Sequence, residues 1–206
     1  MGIYKKYILP VAIDRACRNG NSREQREKVI PLAGGDVLEI GIGAGHSLSL
    51  YDGSKVKHLT AIDPLEKLWK KRKTELSELE FDVKYIRGTA DRIPAGDSTY
   101  DTVVVTYTLC SIRYIDRTLQ EIYRVMKPGG KLVFSEHGLA PDRGLRMWQN
   151  LINPLWKRIG GGCHLNRDVP AILERNGFRT DNMKSGYLPG WKATSYNYWG
   201  SATRQA

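Results

Sequence analysis

The feature that most constrains this chain is a glycine-rich segment that directly follows a short apolar run. Residues 37–40 lead into Gly41-Ile42-Gly43-Ala44-Gly45. Glycines at alternate positions after a strand let the backbone turn sharply and approach a ligand closely, because no Cβ blocks the approach and positive φ angles are permitted. The segment therefore predicts a buried strand that ends in a ligand-binding turn.

Two carboxylates sharpen this prediction. Glu39 lies just before the glycines, and Asp63 ends the next apolar run, 58–62. A carboxylate at the tip of a second strand is placed to hydrogen-bond a ribose diol in an open α/β sheet. Each carboxylate also has a purely structural alternative. Asp63, which precedes Pro64, can cap a helix, and Glu39 can form an ion pair at the sheet edge.

The spacing of the glycines separates two kinds of nucleotide ligand. A dinucleotide-binding turn follows the pattern Gly-x-Gly-x-x-Gly and places a helix N-terminus against a pyrophosphate. The turn in this chain follows Gly-x-Gly-x-Gly and has an acidic residue beside it, which would repel phosphate. The pattern therefore favours an adenosine ligand whose tail is cationic and lacks phosphate.

Beyond this turn, short apolar runs alternate with longer segments of helical period, which predicts βαβ units and a mostly parallel sheet. The strongest β-branched run, 102–106, is predicted to be a central strand covered on both faces. A helix is expected over about 65–79, and the helix over 144–159 is expected to kink or break at Pro154. The further predicted strands are 83–86, 131–135, 178–184 and 194–198, and the further predicted helices are 115–126 and 169–175.

The length of 206 residues is that of one α/β domain. We expect a single domain over 1–206, in which 1–34 form a helical cap, 35–136 the ligand-binding core, and 137–206 an acceptor-side cap with the closing strands. No apolar run approaches the roughly 20 residues that cross a bilayer, and no secretory signal is visible, so a cytoplasmic location is expected.

The charge and the cysteine content limit which partners and metals are expected. The formal net charge is +10, which favours an anionic partner, but the densest basic cluster, 70–73, lies on a predicted helix opposite an apolar face. A solvated surface is the simpler interpretation; nucleic acid is not expected, and a weak contact with an anionic membrane is the alternative. Cys17, Cys110 and Cys163 are too scattered for a disulfide framework or a Cys-x-x-Cys metal site, so no metal is expected.

Five motifs, in a fixed order, resemble those of the class I S-adenosylmethionine-dependent methyltransferases over about residues 37–178. The resemblance implies a Rossmann-like α/β fold with a seven-stranded, mostly parallel sheet, helices on both faces and a C-terminal antiparallel hairpin. It also implies S-adenosyl-L-methionine as cofactor and methyl transfer as the reaction. The motifs are Glu39-x-Gly-x-Gly-x-Gly, Ile62-Asp63, Gly88-Thr-Ala-Asp-Arg-Ile-Pro94, Tyr100-Asp-Thr-Val-Val-Val with Leu109-Cys110, and Arg124-Val-Met-Lys-Pro-Gly-Gly130.

The resemblance implies a contact set for the cofactor. Gly41, Gly43 and Gly45 would line its methionine and ribose portion, Glu39 would organise that loop or meet the amino group through water, and Asp63 would bind the ribose hydroxyls. Many relatives have aspartate at the position of Thr89, so the usual carboxylate contact to the adenine is expected to be weakened or to pass to Asp91. The other implied contacts are Thr89, Ala90 and Asp91 at the adenine, Thr106 at the methionyl group, and Pro64 and Cys110.

Acceptor contacts are expected from the N-terminal segment, the ends of the fourth and fifth strands, and the insertion after the fifth strand. His137 is the first choice for a general base or acceptor-orienting group, His164 is the second catalytic candidate, and a histidine merely hydrogen-bonded beside the cleft is the alternative. The segment 160–167 is expected either to fold over the pocket or to cap two helices, with Asn166 as an N-cap. The candidate acceptor-binding residues are Tyr4, Tyr7, Cys110, Glu136, Trp148, Asn150, Cys163, Asn166 and Arg167.

The downstream pattern resembles a narrower branch, which contains microsomal alkyl-thiol methyltransferases and bacterial phospholipid N-methyltransferase-like proteins. The pattern is Glu136-His137, Trp148-Gln149-x-x-x-Asn153-Pro154-x-Trp156 and Gly162-Cys163-x-Leu165-x-Arg167. It implies a small, lipophilic acceptor, with a thiol favoured. A phospholipid amine at a membrane surface and a noncatalytic cofactor-binding regulatory module are the alternatives. Both a monomer and a homodimer are compatible with the sequence.

Overall fold

The computed structural model describes residues 4–72 and 74–204. In that part of the chain, the strands are β1 (Gly35–Ile40), β2 (Val56–Asp63), β3 (Asp82–Arg87), β4 (Tyr100–Thr106), β5 (Met126–His137), β6 (Phe178–Thr180), β7 (Lys184–Tyr187) and β8 (Tyr196–Arg204). The α-helices are α1 (Leu9–Cys17), α2 (Gly20–Val29), α3 (Glu66–Trp69), α4 (Ile115–Val125), α5 (Arg143–Ile159), α6 (Val169–Arg175) and α7 (Lys192–Ser195).

All of these strands belong to one sheet, in the order β3-β2-β1-β4-β5-β8-β6, with β7 also paired to β8. The first five pair in parallel, whereas β8 runs antiparallel to β5, β6 and β7. The predicted Rossmann-like, mostly parallel sheet with antiparallel closing strands is therefore confirmed. The count rises from seven to eight because β6 and β7 are two short pieces that pair with the same long strand.

The centre of the sheet is β4, as its β-branched composition predicts. Val103, Val104 and Val105 are fully buried, because helices cover both faces of a parallel sheet. On one face they join a core that includes Leu119 of α4, and on the other a core that includes Val29 of α2. Because β4 pairs in parallel with β1, the carboxyl ends of these two strands meet at one edge of the sheet.

The helix expected over 65–79 is much shorter than predicted. Only α3 and a 3₁₀ turn, Leu76–Glu78, are helical in this stretch. Leu68 and Trp69 are buried, and the ring of Trp69 stacks on Tyr85 at 5.1 Å. The basic residues that follow would place like charges on neighbouring helical positions, which disfavours continuation of the helix.

The break expected at Pro154 is absent, since α5 runs through it. Two buried side chains hold this helix in the turns that precede the proline. Gln149 bonds Ala140 N, Gly138 O and Ala193 O, and Asn153 accepts a hydrogen bond from Leu165 N at 2.9 Å. These contacts compensate for the backbone hydrogen bond that proline cannot donate.

The closing elements also differ in their bounds from the prediction. The expected strand over 178–184 is divided into β6 and β7, and the expected strand over 194–198 begins at Tyr196 and continues to Arg204. Residues 192–195, partly assigned to that strand, form α7 instead. Within the described part of the chain, no helix is long and apolar enough to span a membrane.

Candidate active site

A cavity of about 960 Å³ opens at the carboxyl ends of β1, β2 and β4. The glycine-rich turn forms its floor, and α1, α2 and the residues after α5 form its walls. The carboxyl edge of an open parallel sheet is where ligands bind in such folds, because the loops diverge there. This cavity is therefore the candidate active site.

The glycine-rich turn needs glycine for reasons that differ from position to position. Gly41, Gly43 and Gly45 have φ angles of 77°, 54° and 71°, in the left-handed region. A Cβ on Gly41 would lie 2.2 Å from Thr108 Oγ1, and one on Gly45 would lie 2.7 Å from Leu48 Cδ1. A Cβ on Gly43 would meet only a backbone oxygen, at 4.0 Å. Gly41 and Gly43 line the cavity, whereas Gly45 closes the turn against the protein interior.

Asp63 at the end of β2 is bonded to the glycine-rich turn. Its Oδ2 accepts a hydrogen bond from Gly43 N at 3.0 Å, and its Oδ1 accepts one from Leu65 N at 2.6 Å. Burial raises the pKa of this carboxyl group, and the two backbone N–H groups act in the opposite direction. Because Asp63 also lines the cavity, it links the turn to the ligand space.

Glu39 is buried beneath the turn and does not line the cavity. Its carboxyl group accepts hydrogen bonds from Ser47 Oγ at 2.6 Å and from Tyr51 OH at 2.9 Å. Burial raises its pKa from the ordinary 4.5 to about 7. Ser47 lies two residues after Gly45, so its hydrogen bond joins Glu39 to the loop that it was expected to organise.

The residues expected at the adenine line one side of the cavity. Thr89, Ala90 and Asp91 contribute to it, and so does Pro64, which was expected to contact the cofactor at an unassigned point. Ala90 is buried. The carbonyl oxygen of Asp91 accepts a hydrogen bond from Arg117 Nε at 3.1 Å, which ties this loop to α4.

A buried arginine, which the sequence analysis missed, lies at the other side of the glycine-rich turn. Arg26 of α2 is 5% exposed and lines the cavity. Its Nε donates to Thr106 Oγ1 at 3.1 Å, and its Nη1 donates to Cys17 O at 2.6 Å. No ion pair joins it to a carboxylate of the described chain, so its positive charge is available to an anionic ligand group. The polar sequence of α2 carries no signal for this burial, which depends on how the helix packs on the sheet.

Two further polar residues contact the turn. His46 Nε2 lies 2.8 Å from Asp14 Oδ1, and both residues line the cavity. Asp14 belongs to α1, so this contact fastens the N-terminal helix over the glycine-rich turn. The sequence analysis did not single out either residue, because they are 32 positions apart in the chain.

The far end of the cavity contains two cysteines and a histidine. Sγ of Cys110, Sγ of Cys163 and a ring nitrogen of His137 all lie within 4.8 Å of one another. His137 Nε2 is 3.1 Å from Cys163 Sγ, which also accepts a hydrogen bond from Trp156 Nε1 at 3.3 Å. The hydrogen bond from Cys110, together with the contacts of His137 and Trp156, lowers the pKa of Cys163 to about 4, although burial acts in the opposite direction. All four residues line the cavity, and we call this end the sulfur end.

Several predicted acceptor residues do not reach the cavity. Trp148 is 59% exposed on α5, two helical turns before Trp156, and Tyr7 is 56% exposed beside Lys67. Asn150 and Asn166 bond each other at 2.8 Å on the surface. Glu136, His164 and Arg167 lie behind the sulfur end and bond the backbone of 108–112. Tyr4, in contrast, lines the cavity and donates a hydrogen bond to Ile159 O at 2.5 Å.

The segment 160–167 lines the cavity and caps one of the two helices, because Gly160 is the C-cap of α5. Gly160, Gly161 and Cys163 line the cavity. The N-cap of α6 is Asp168, which accepts a hydrogen bond from Ala171 N at 3.3 Å, and not the expected Asn166. The helix itself, Val169–Arg175, begins where predicted, and Pro170 occupies its first turn.

Comparison with known proteins identifies relatives of this chain. The methyltransferase-domain family matches residues 38–134. The thiol S-methyltransferase TMT1B of Homo sapiens is 33% identical over 192 residues, which are 88% of this chain and 78% of that protein. The chain belongs to the class I S-adenosylmethionine-dependent methyltransferases. TMT1B of Rattus norvegicus is 37% identical over 147 residues, and this match covers 69% of the methyltransferase described here and only 59% of the rat protein.

The fold of this methyltransferase is also found among solved structures. An S-adenosylmethionine-dependent methyltransferase from Mesorhizobium loti superposes with a TM-score of 0.64 at 17% identity, over 91% of this chain and 99% of that chain. The predicted cofactor, S-adenosyl-L-methionine, follows from the family. The acceptor does not follow from it, because one fold serves many acceptors.

Proposed function

We propose that this methyltransferase transfers a methyl group to the sulfur of a small, lipophilic thiol. The observation that carries the proposal is the composition of one continuous cavity. The glycine-rich turn and Asp63 lie at one end, and the sulfur end lies at the other, among apolar walls. The identity of 33–37% to proteins named thiol S-methyltransferases supports the same acceptor class.

The polar groups around the turn suit the cofactor. Asp63 is placed to accept hydrogen bonds from ribose hydroxyls. The absence of a side chain at Gly43 leaves room for the cofactor beside the turn. We assign the methionyl carboxylate to Arg26, because a buried guanidinium without an ion-pair partner is stabilised by an anion. Thr89 and Asp91 then border the adenine. When bound, S-adenosyl-L-methionine supplies an activated methyl group on a cationic sulfur.

The walls around the sulfur end favour an apolar acceptor. A Cβ on Gly161 would lie 3.2 Å from both Leu9 Cδ2 and Ile13 Cδ1, so α1 packs directly over this end. Trp156 and Ile159 of α5 complete the wall. Apolar walls reward burial of an alkyl chain, at roughly 0.8 kcal/mol for each buried CH₂ group.

The charges in the cavity favour a thiol over an ammonium group. Among the described residues, the acidic side chains that line the cavity are Asp14, Asp63 and Asp91. Asp14 bonds His46 of the turn, and the other two belong to the cofactor side, so no carboxylate is available to hold an ammonium at the sulfur end. A thiol needs no counter-charge and supplies some thiolate at neutral pH, so a dedicated base is not required.

Chemistry at this end then consists mainly of positioning. An in-line displacement requires the acceptor sulfur to be held near the methyl group while water is excluded. His137 lines the sulfur end and remains the predicted acceptor-orienting residue. His164 faces the carbonyl of Cys110 instead, at 3.1 Å, so we assign it to support of the backbone.

A matched acceptor series tests the proposal. Hexanethiol, hexylamine and hexanol would each be incubated with the enzyme and isotopically labelled S-adenosyl-L-methionine, alongside phosphatidylethanolamine vesicles, with products identified by mass spectrometry. The expected result is labelled methyl hexyl sulfide as the main product, at least about tenfold above the others. Labelled amine or phospholipid would overturn the thiol assignment. A protein that binds the cofactor but labels no acceptor would support the regulatory alternative.

A further inference from the structure

We propose that Cys110, His137 and Cys163 bind a thiophilic divalent cation, Zn²⁺, and that the acceptor thiol becomes its fourth ligand. The ligation by itself rests on the geometry of these three side chains, and the role of the thiol rests on the proposed function. Sequence inspection gave no sign of this site, because its ligands come from three separate segments of the chain: the loop after β4, the end of β5 and the turn after α5.

The distances among the donor atoms suit a tetrahedral ion. Zinc binds thiolate sulfur at about 2.3 Å and imidazole nitrogen at about 2.0–2.1 Å, so neighbouring donor atoms in a tetrahedral site are roughly 3.5–3.8 Å apart. The three donors lie within 4.8 Å of one another, and His137 Nε2 is 3.1 Å from Cys163 Sγ. Small side-chain rotations suffice to surround the ion. Two thiolates and one imidazole with an open position is also a donor set known from catalytic zinc sites.

The backbone that carries the ligands is held in place by charged hydrogen bonds. The carboxylate of Glu136 accepts hydrogen bonds from Thr108 N at 2.5 Å and Leu109 N at 2.7 Å, and Cys110 N lies at 3.4 Å. The guanidinium of Arg167 donates to Leu109 O and to another carbonyl of the same loop. Glu136 adjoins one ligand, and Arg167 follows another by four residues. These bonds therefore connect all three ligand-bearing segments behind the cluster.

The surroundings of Cys163 favour a thiolate ligand as well. Trp156 Nε1 donates to Cys163 Sγ at 3.3 Å, and N–H groups that donate to ligating atoms orient them and tune the metal. Cys110, His137 and Cys163 all line the cavity. The fourth position therefore opens into the cavity, toward the space assigned to the acceptor.

A metal in this position would supply what a thiol acceptor needs. A coordinated thiol loses its proton, which passes to solvent, and its sulfur is fixed at one point of the cavity. A bond then forms between this sulfur and the methyl carbon as the bond from that carbon to the sulfonium sulfur breaks, and S-adenosylhomocysteine is the leaving group. The thioether product is neutral and a weaker ligand than thiolate, so it can leave the metal.

Metal binding can be measured without turnover. The wild-type protein, kept reduced and treated with a chelator, would be titrated with Co²⁺, whose thiolate charge-transfer and visible bands report sulfur ligation. We expect one Co²⁺ per chain, displaced by one equivalent of Zn²⁺. Cys163→Ser should abolish the charge-transfer band or reduce it by at least half. Cys17→Ser, which changes the cysteine outside the cluster, should leave the band intact.

Two further measurements separate this proposal from the proposed function. Trp156→Phe removes the N–H donor together with part of the indole ring and should weaken Zn²⁺ binding by about 10–100-fold. Hexanethiol should shift the visible Co²⁺ bands, whereas hexanol should not. If the reduced wild-type protein binds neither ion, the metal site is refuted even when thiols are methylated. If the ions bind and hexanethiol leaves the spectrum unchanged, the fourth-ligand role is refuted. A metal-binding protein that methylates only amines would refute the proposed function and leave the metal site standing.

Discussion

Glu39 is a titratable residue buried beneath the glycine-rich turn, and its replacement by glutamine tests whether its pKa is raised there. The side chain is 2% exposed, and its carboxyl group accepts hydrogen bonds from Ser47 and Tyr51. Glutamine has nearly the same shape and keeps one acceptor oxygen for these hydroxyls. The change Glu39→Gln therefore removes the titration while disturbing the packing little.

The direction of the effect follows from the pKa of Glu39. Burial raises it in the folded protein from 4.5 to about 7, so the folded state holds its proton at pH values where the unfolded state has released it. Stability from this group is complete below pH 4.5 and is lost as the pH rises toward 7. Between about pH 5.5 and 8.5 the wild type should lose ~2 kcal/mol of unfolding free energy through this group alone.

Urea unfolding of the wild type and of Glu39→Gln across this pH range measures the effect. The difference in unfolding free energy between the two proteins should change by ~2 kcal/mol in favour of the variant as the pH rises. Glu24→Gln, at an exposed position of α2, serves as the matched control and should show no such change. If the difference in unfolding free energy stays constant over this pH range, the raised pKa of Glu39 is refuted.

Three further predictions concern the cofactor. Gly41→Ala should destabilise the fold by roughly 1–3 kcal/mol because its Cβ would collide with Thr108. Gly43→Ala, in contrast, should fold and lose cofactor binding. Equal melting temperatures of the two variants would contradict this. Arg26→Gln should weaken binding of S-adenosylhomocysteine by about 10–100-fold in calorimetry, since a charge-assisted hydrogen bond contributes about 1.5–3 kcal/mol, and should leave methylthioadenosine, which lacks the carboxylate, unaffected. Asp63→Asn should weaken both ligands to a similar extent, because both contain the ribose; an effect on one ligand alone would argue against ribose contact.

The sheet and the glycine-rich turn were predictable because they depend on local patterns. A run such as 102–106 can satisfy its backbone and bury its side chains only as a central strand. The turn that follows β1 requires glycines at positive φ, so the glycines in the sequence predict both where the turn lies and its backbone conformation. Helix length was less predictable: 65–79 has a helical pattern, yet only Glu66–Trp69 forms an α-helix there, because Trp69 packs against Tyr85 and the like charges that follow disfavour further turns.

The acceptor side was predicted less well, because its residues meet only through packing. Trp148 and Asn150 belong to the same helix as Trp156, but the rotation of α5 about its axis decides which of them faces the cavity, and two buried amide side chains set that rotation. Arg167 was expected to touch the acceptor and instead binds backbone carbonyls behind it. For α5, the differences arise because several faces of this helix carry aromatic or polar residues.

Residue order alone thus specified a parallel sheet, a glycine turn with two carboxylates, and the class of cofactor, because these features depend on the conformational preferences of neighbouring residues. Tertiary packing decided that Arg26 would be buried beside the turn and that Cys110, His137 and Cys163 would converge. The reason is physical: donor atoms from distant segments come within bonding distance only when the sheet and α5 set their relative positions, and no local pattern encodes that distance.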